Sequence, residues 1–161
     1  MAGGIGQDVA PIQDLYPDDF AHCYGCGRLN AHGLHVHTYW RDGEGVAEFQ
    51  PAPEHMAMPG YVYGGLLASL VDCHAMATAA AATMVTAGQR PGIDPTPRFV
   101  TASLQVDYLR PTPLGPLLTL RSTVSEKSER KAIVQVSVTA DGAEVVRGRV
   151  VAVPIPPSMA R

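Results

Sequence analysis

The sequence predicts an α+β domain, an antiparallel sheet wrapped around one long central helix. Three observations predict it. Residues 64–87 form a single apolar run whose second half is dominated by alanine, the best helix former. Several other segments alternate apolar and polar residues with the period of a strand that has one face buried. Asp42-Gly43 and Asp141-Gly142 are two-residue hairpin signals, which join antiparallel neighbours.

The elements follow in order. Residues 1–19 are small, polar and punctuated by Pro and Gly, and read as a loose arm. Residues 20–161 read as one domain. Cys23, Gly25, Cys26, Gly27, Asn30 and Gly33 make a knuckle of tight turns. From Leu34 to Arg41 the pattern alternates, and a second strand lies near Val46–Phe49. Prolines 51, 53 and 59 break the chain before the helix, and the segment 88–97 cannot continue it. Strands then follow at 99–110, 117–124, 131–140 and 145–153. Val100, Ala102, Leu104, Val106 and Tyr108 fall on one face of the first. Ala132, Val134, Val136, Val138 and Ala140 fall on one face of the third. These later strands read as hairpin-connected neighbours, the arrangement of one helix layer on one sheet.

Composition excludes some classes. At 161 residues, with 46% hydrophobic and 17% charged residues, the chain is long enough to bury a core and reads as one domain. So large an apolar share suggests burial against a second subunit. The net charge is −3 and the 12 basic residues are scattered, which argues against nucleic acid as a partner. No apolar run of spanning length is free of Asp, His or Gly, so no membrane segment is expected. The N-terminus lacks a basic region followed by an apolar stretch, and the three cysteines are an odd number. A cytoplasmic protein with reduced thiols is expected.

The chemistry concentrates at residues 60–74. Gly64 and Gly65 open the helix, where first-turn amides have no intrahelical acceptor. Those amides and the positive helix end can stabilise an oxyanion. Asp72 is the only charged residue between Glu54 and Arg90. A carboxylate in so apolar a run needs a partner or a task. Oxyanion donors with a lone acid point to hydrolysis of an activated carbonyl.

Three stretches carry a family resemblance. They are Cys23-Tyr-Gly-Cys26-Gly27-Arg-Leu-Asn30-Ala-His-Gly33-Leu34, His55-Met-Ala-Met-Pro59-Gly60-Tyr-Val-Tyr63-Gly64-Gly65 with Asp72 downstream, and Val106-Asp-Tyr108-Leu-Arg110-Pro111. Together they resemble the hotdog-fold acyl-CoA thioesterases, in the PaaI-like branch of the 4-hydroxybenzoyl-CoA thioesterase superfamily. The resemblance spans roughly residues 20–153. It implies the hotdog fold, an acyl-CoA substrate, Asp72 as base or nucleophile and the Gly65 N–H as oxyanion donor. It also implies that Thr101 helps to hold the water. Two positions depart from the family pattern. Tyr63 stands where a His is usual, and Ala57 where some members have Asn. His55 and His74 are the residues that could compensate.

Gly65 and Asp72 are seven residues apart, on one helix face and roughly 10 Å apart along the axis. One carbonyl carbon needs both groups within about 3 Å. Two antiparallel helices across a twofold axis would bring Gly65 of one subunit beside Asp72 of the other, as the family's dimeric sites do. A homodimer is therefore expected, alone or paired into a dimer of dimers. Arg110, Lys127, Arg130 and Lys131 are candidates for the CoA phosphates. No cofactor is expected beyond the CoA that the substrate carries.

A zinc reading of Cys23 and Cys26 with His22, His32, His35 and His37 is set aside. There is no second Cys pair, and the His spacing follows strand alternation. Two buried thiols in a Gly-rich turn are expected instead, with Cys73 as packing and no metal. Two other functions remain open: a non-catalytic acyl-CoA-binding protein, and an acyl-thioester hydratase or dehydratase.

Overall fold

The computed structural model describes residues 9–160. Six strands, β1 (Thr38–Arg41), β2 (Glu44–Phe49), β3 (Phe99–Tyr108), β4 (Leu118–Lys127), β5 (Ala132–Ala140) and β6 (Ala143–Pro154), form one sheet. Its order is β1-β2-β4-β5-β6-β3, with every pairing antiparallel. The single α-helix, α1 (Gly64–Thr86), lies within the curl of this sheet and touches all six strands.

The turns carry the geometry that their residues specify. Asp42-Gly43 and Asp141-Gly142 all have positive φ, the conformation that joins β1 to β2 and β5 to β6. Strand β5 buries Ala132, Val134, Val136, Val138 and Ala140 completely or nearly so. Leu66, Leu67, Leu70, Val71 and the alanines of α1 meet that face. By length and composition α1 could cross a membrane, yet 72% of its most apolar window is buried inside this fold. It is the core helix of the domain.

Close approach depends on missing Cβ atoms in two strands. A Cβ at Gly148 would lie 2.4 Å from Val71 Cγ1, and one at Gly45 would lie 2.1 Å from Thr78 Oγ1. Alanine at either would push the helix off the sheet.

A chain of buried hydrogen bonds crosses the core. Gln13 Nε2 donates to Thr38 Oγ1 at 2.9 Å, and the Thr38 hydroxyl lies 2.9 Å from His74 Nδ1. His74 Nε2 lies 2.9 Å from Ser122 Oγ, which is 2.6 Å from Thr78 Oγ1. Thr78 spends its one proton on the His74 carbonyl, so Ser122 donates to Thr78 and His74 Nε2–H donates to Ser122. Nδ1 is then the acceptor from Thr38. His74 is neutral, its pKa lowered to about 3 chiefly by burial. It is a core residue, which corrects the expectation that it could serve a substrate.

The structure differs from the sequence reading in four further places. Residues 10–16, part of the segment 1–19 read as a loose arm, are packed: Ile12, Gln13 and Tyr16 are buried, and Gln13 anchors β1. Residues 1–8 of that arm lie outside the described residues. The first strand starts at Thr38 rather than Leu34. The Leu34 and Val36 amides instead donate to the Tyr24 and Gly25 carbonyls, and His35 has positive φ. Strand β3 does not join β4 by a hairpin. It pairs with β6 at the sheet edge, and residues 109–117 cross over, tied to the helix start by Val62 N–H on Thr112 O. Finally, β3 has no continuous buried face. The register shifts between Thr101 and Ser103, and Leu104 and Tyr108 are exposed.

His74→Ala would remove two buried hydrogen bonds, leave the Thr38 hydroxyl without its acceptor and Ser122 without its donor, and open a cavity. A loss of about 3 kcal/mol or more is expected in urea denaturation at neutral pH, with an unchanged m-value.

Candidate active site

Helix α1 begins with Tyr63 as its N-cap, followed by Gly64 and Gly65. The Leu66 amide already donates to the Tyr63 carbonyl at 3.1 Å, while the Gly64 and Gly65 amides precede the first intrahelical bond. The Gly64 carbonyl accepts a 2.7 Å hydrogen bond from the Tyr108 hydroxyl at the end of β3. The Gly65 carbonyl accepts 2.9 Å from Ser69 Oγ. The Tyr63 ring lies over Gly65, where a Cβ would meet it at 2.5 Å. The Tyr63 ring therefore covers the side of Gly65 where a side chain would stand, and it is solvent-exposed.

A cleft of about 630 Å³ opens at this helix start. Tyr63, Gly65, Leu66 and Ser69 form one wall, His55 and Met56 another, and Tyr24, Gly33 and Leu34 of the Cys knuckle a third. His55 Nδ1 accepts the Ala52 amide at 2.9 Å, which fixes its ring at the rim with the proton on Nε2. The knuckle as a cleft wall was not visible in the sequence, because only the Leu34 and Val36 amide bonds fold it back.

Asp72 lies outside that cleft. It is half-buried, and Thr101 Oγ1 donates to its Oδ1. Burial raises its pKa, the Thr101 bond lowers it, Cys23 raises it and Arg98 lowers it. No salt bridge to Asp72 forms among the described residues. The carboxylate is thus held by a hydroxyl, with its basicity raised rather than quenched by a cation. The alternation that put Thr101 on the polar face of β3 left its target open, and the structure places Asp72 there.

On α1 the only residues before Thr78 that are not buried are Gly64, Gly65, Ala68, Ser69 and Asp72. Residues 65, 68, 69 and 72 recur at i, i+3, i+4 and i+7, one open strip on an otherwise buried helix. The strip carries both functional groups at two separated points.

The selected cations divide. Arg110 lines a second cleft, about 490 Å³, together with Gly64 and Tyr108. Lys127 is at the other end of α1, its Nζ donating to Thr86 Oγ1 at 2.8 Å. Arg130 and Lys131 share that turn. The helix is roughly 34 Å long, so these three do not reach the Gly65 cleft of their own chain.

Comparison with known proteins adds the family. The thioesterase superfamily model matches residues 59–147, from the loop before Gly60 into β6. The chain belongs to the thioesterase superfamily. A thioesterase superfamily protein from Shewanella loihica PV-4 is 42% identical, with a TM-score of 0.64 over 79% of this chain and 96% of that one. The acyl-coenzyme A thioesterase THEM4 of Xenopus laevis is 34% identical over 86 residues, 53% of this chain and 33% of the relative. The chain therefore matches about a third of that curated relative's length. The Escherichia coli PaaI protein of the phenylacetic acid degradation operon shares the fold at 16% identity, with a TM-score of 0.58 over 76% of this chain and 81% of that one. In this thioesterase superfamily member the helix start, Asp72 and Thr101 all lie inside the matched segment, and the Cys knuckle lies before it.

Tyr108→Phe removes the hydroxyl that pins the Gly64 carbonyl. Hydrogen exchange of the Gly64 and Gly65 amides is expected to speed up, with a stability loss of about 1 kcal/mol and core amides otherwise unchanged.

Proposed function

We propose that this protein hydrolyses acyl-CoA thioesters at sites shared between two subunits. The observation that carries the proposal is the open strip of α1, with a free Gly65 amide at one end and the Thr101-held Asp72 at the other. Neither group can serve a carbonyl served by the other within one chain. Two antiparallel strips in contact bring each Gly65 beside the partner's carboxylate.

The same face supports a dimer. Strand β3 is a ten-residue edge whose outer side meets no other strand, and such an edge is a template for pairing. Leu104 and Tyr108 on β3 and Tyr61 and Tyr63 at the helix start are exposed apolar side chains on this side.

In the reaction, the Asp72 carboxylate takes a proton from water as the hydroxide oxygen bonds to the thioester carbon. The carbonyl electrons move to oxygen, and the Gly65 N–H stabilises that charge. The tetrahedral species collapses, the C–S bond breaks, and CoA leaves as a thiolate. Direct attack by Asp72, with hydrolysis of the resulting anhydride, uses the same atoms. The raised basicity of Asp72 suits either role. Arg110, beside Gly64, is the cation placed to meet the phosphates of CoA.

A hydratase would need an acid–base pair. His74 is locked in the core by Thr38 and Ser122 and is not free to form that pair. The reading places the protein in the cytoplasm, where CoA thioesters are made and used.

Thiol release should be measured over short, medium, long and aryl acyl-CoAs. Asp72→Asn is expected to lose about 10²–10⁴-fold in turnover while eluting as the parent does in size-exclusion chromatography. Near-parental turnover of the variant would overturn the role of Asp72. Tight acyl-CoA binding without turnover by the parent would make the protein a binding module.

A further inference from the structure

Cys73 completes what the knuckle begins. The Sγ atoms of Cys23, Cys26 and Cys73 all lie within 4.8 Å of one another, and Cys23 and Cys73 are 3.8 Å apart. Zinc–sulfur bonds of about 2.3 Å in a tetrahedron set sulfurs about 3.8 Å apart. Three thiols on two elements have converged to the spacing of a metal's coordination edge.

The turn around them has the features of a metal knuckle. The Cys23, Tyr24 and Gly25 carbonyls are occupied by the amides of Gly27, Leu34 and Val36 at 2.7, 2.8 and 3.0 Å. Gly25 presses directly on Cys73, since a Cβ there would lie 2.2 Å from its Sγ. Only glycine lets the loop seat three sulfurs together.

Two buried polar groups beside the thiols lack partners. Tyr16 Oη and Arg98 Nη1 are buried with no hydrogen bond among the described residues. The Arg98 guanidinium lies 4.8 Å from the Tyr16 ring centroid. Both are within electrostatic range of Cys26. A half-buried guanidinium with one unpaired nitrogen thus stands beside these thiols. Three thiolates with one divalent cation carry a single negative charge, and Arg98 supplies its counter-charge.

We propose that Cys23, Cys26 and Cys73 bind one thiophilic d10 cation of the zinc class as thiolates. Each ligating thiol gives up its proton on binding. The fourth position is left to an oxygen donor, and the Tyr16 hydroxyl is the neighbouring candidate, directly or through water. The site staples the knuckle to α1, and so fixes the cleft wall formed by Tyr24, Gly33 and Leu34. Two of its ligands, Cys23 and Cys26, lie before the segment matched by the family, and Cys73 lies within it. Two of the four histidines weighed as ligands are engaged elsewhere: His35 Nε2 with the Asn30 carbonyl at 2.5 Å, and His37 beside Asp14 at 3.8 Å.

The test is metal titration of the reduced full chain under anaerobic conditions, independent of thioester turnover. Cobalt(II) is the spectroscopic probe, and zinc(II) displaces it. The expected result is one equivalent per chain, with thiolate-to-cobalt charge transfer in the near ultraviolet. Cys23→Ser, at the most exposed of the three, should raise the zinc dissociation constant by about 100-fold or more. His35→Ala should leave it unchanged. Absence of charge transfer in the parent overturns the proposal whatever the variants do. So does binding that Cys23→Ser leaves intact, or isolation of the parent with two of the three cysteines as a disulfide.

Discussion

The structure depends on burying α1 on nearly every side while leaving one strip of it open. A helix this apolar must be covered. The sheet does so by curling until all six strands reach it, and Gly45 and Gly148 remove the Cβ atoms that would hold it away. Before Thr78, what remains uncovered is Gly64 and the strip of Gly65, Ala68, Ser69 and Asp72. The functional surface is therefore the remainder of the folding problem: the part of the helix that a single sheet does not cover.

Three consecutive residues show how closely this packing and the chemistry are joined. Successive helix positions point about 100° apart. Asp72 faces the open strip and takes Thr101 from β3. Cys73 faces the knuckle and meets Cys23. His74 faces the sheet and is held between Thr38 and Ser122. One turn of helix thus carries the proposed catalytic carboxylate, a thiol junction and a core network. The neutral, doubly bonded His74 fixes the rotation of α1, and that rotation aims Asp72 and Cys73. The thiol cluster and Arg98 also set the electrostatics behind the carboxylate, with opposite signs.

Much of this was legible from local pattern. The helix runs from Gly64 to Thr86, one residue short of the reading, because alanine and apolar periodicity fix it without tertiary help. The Asp-Gly turns specify their hairpins for the same reason. Asp72 stood out as a lone acid in an apolar run. The failures share a different cause. The strand at Leu34 was a local alternation overridden by amide bonds to Tyr24 and Gly25. The crossover after β3, the pinning of Gly64 by Tyr108 and the burial of Gln13 are contacts between distant segments. So is the convergence of Cys73 on Cys23, fifty residues earlier. A count of cysteines and histidines in one window could not bring in Cys73, since proximity in sequence was the only measure at hand.

The shared site is the central claim, and subunit complementation tests it most directly. Asp72→Asn lacks the carboxylate. Gly65→Pro lacks the amide at a first-turn position that tolerates proline, once the exposed Tyr63 ring swings aside. Each variant alone should be inactive. Mixed in equal amounts after dissociation and reassembly, half the dimers are hybrids, each with one intact site of two. Recovery of about a quarter of parental turnover is predicted. If no activity returned from a mixture shown to contain hybrid dimers, Gly65 and Asp72 would have to act within one chain, and the shared site would be wrong.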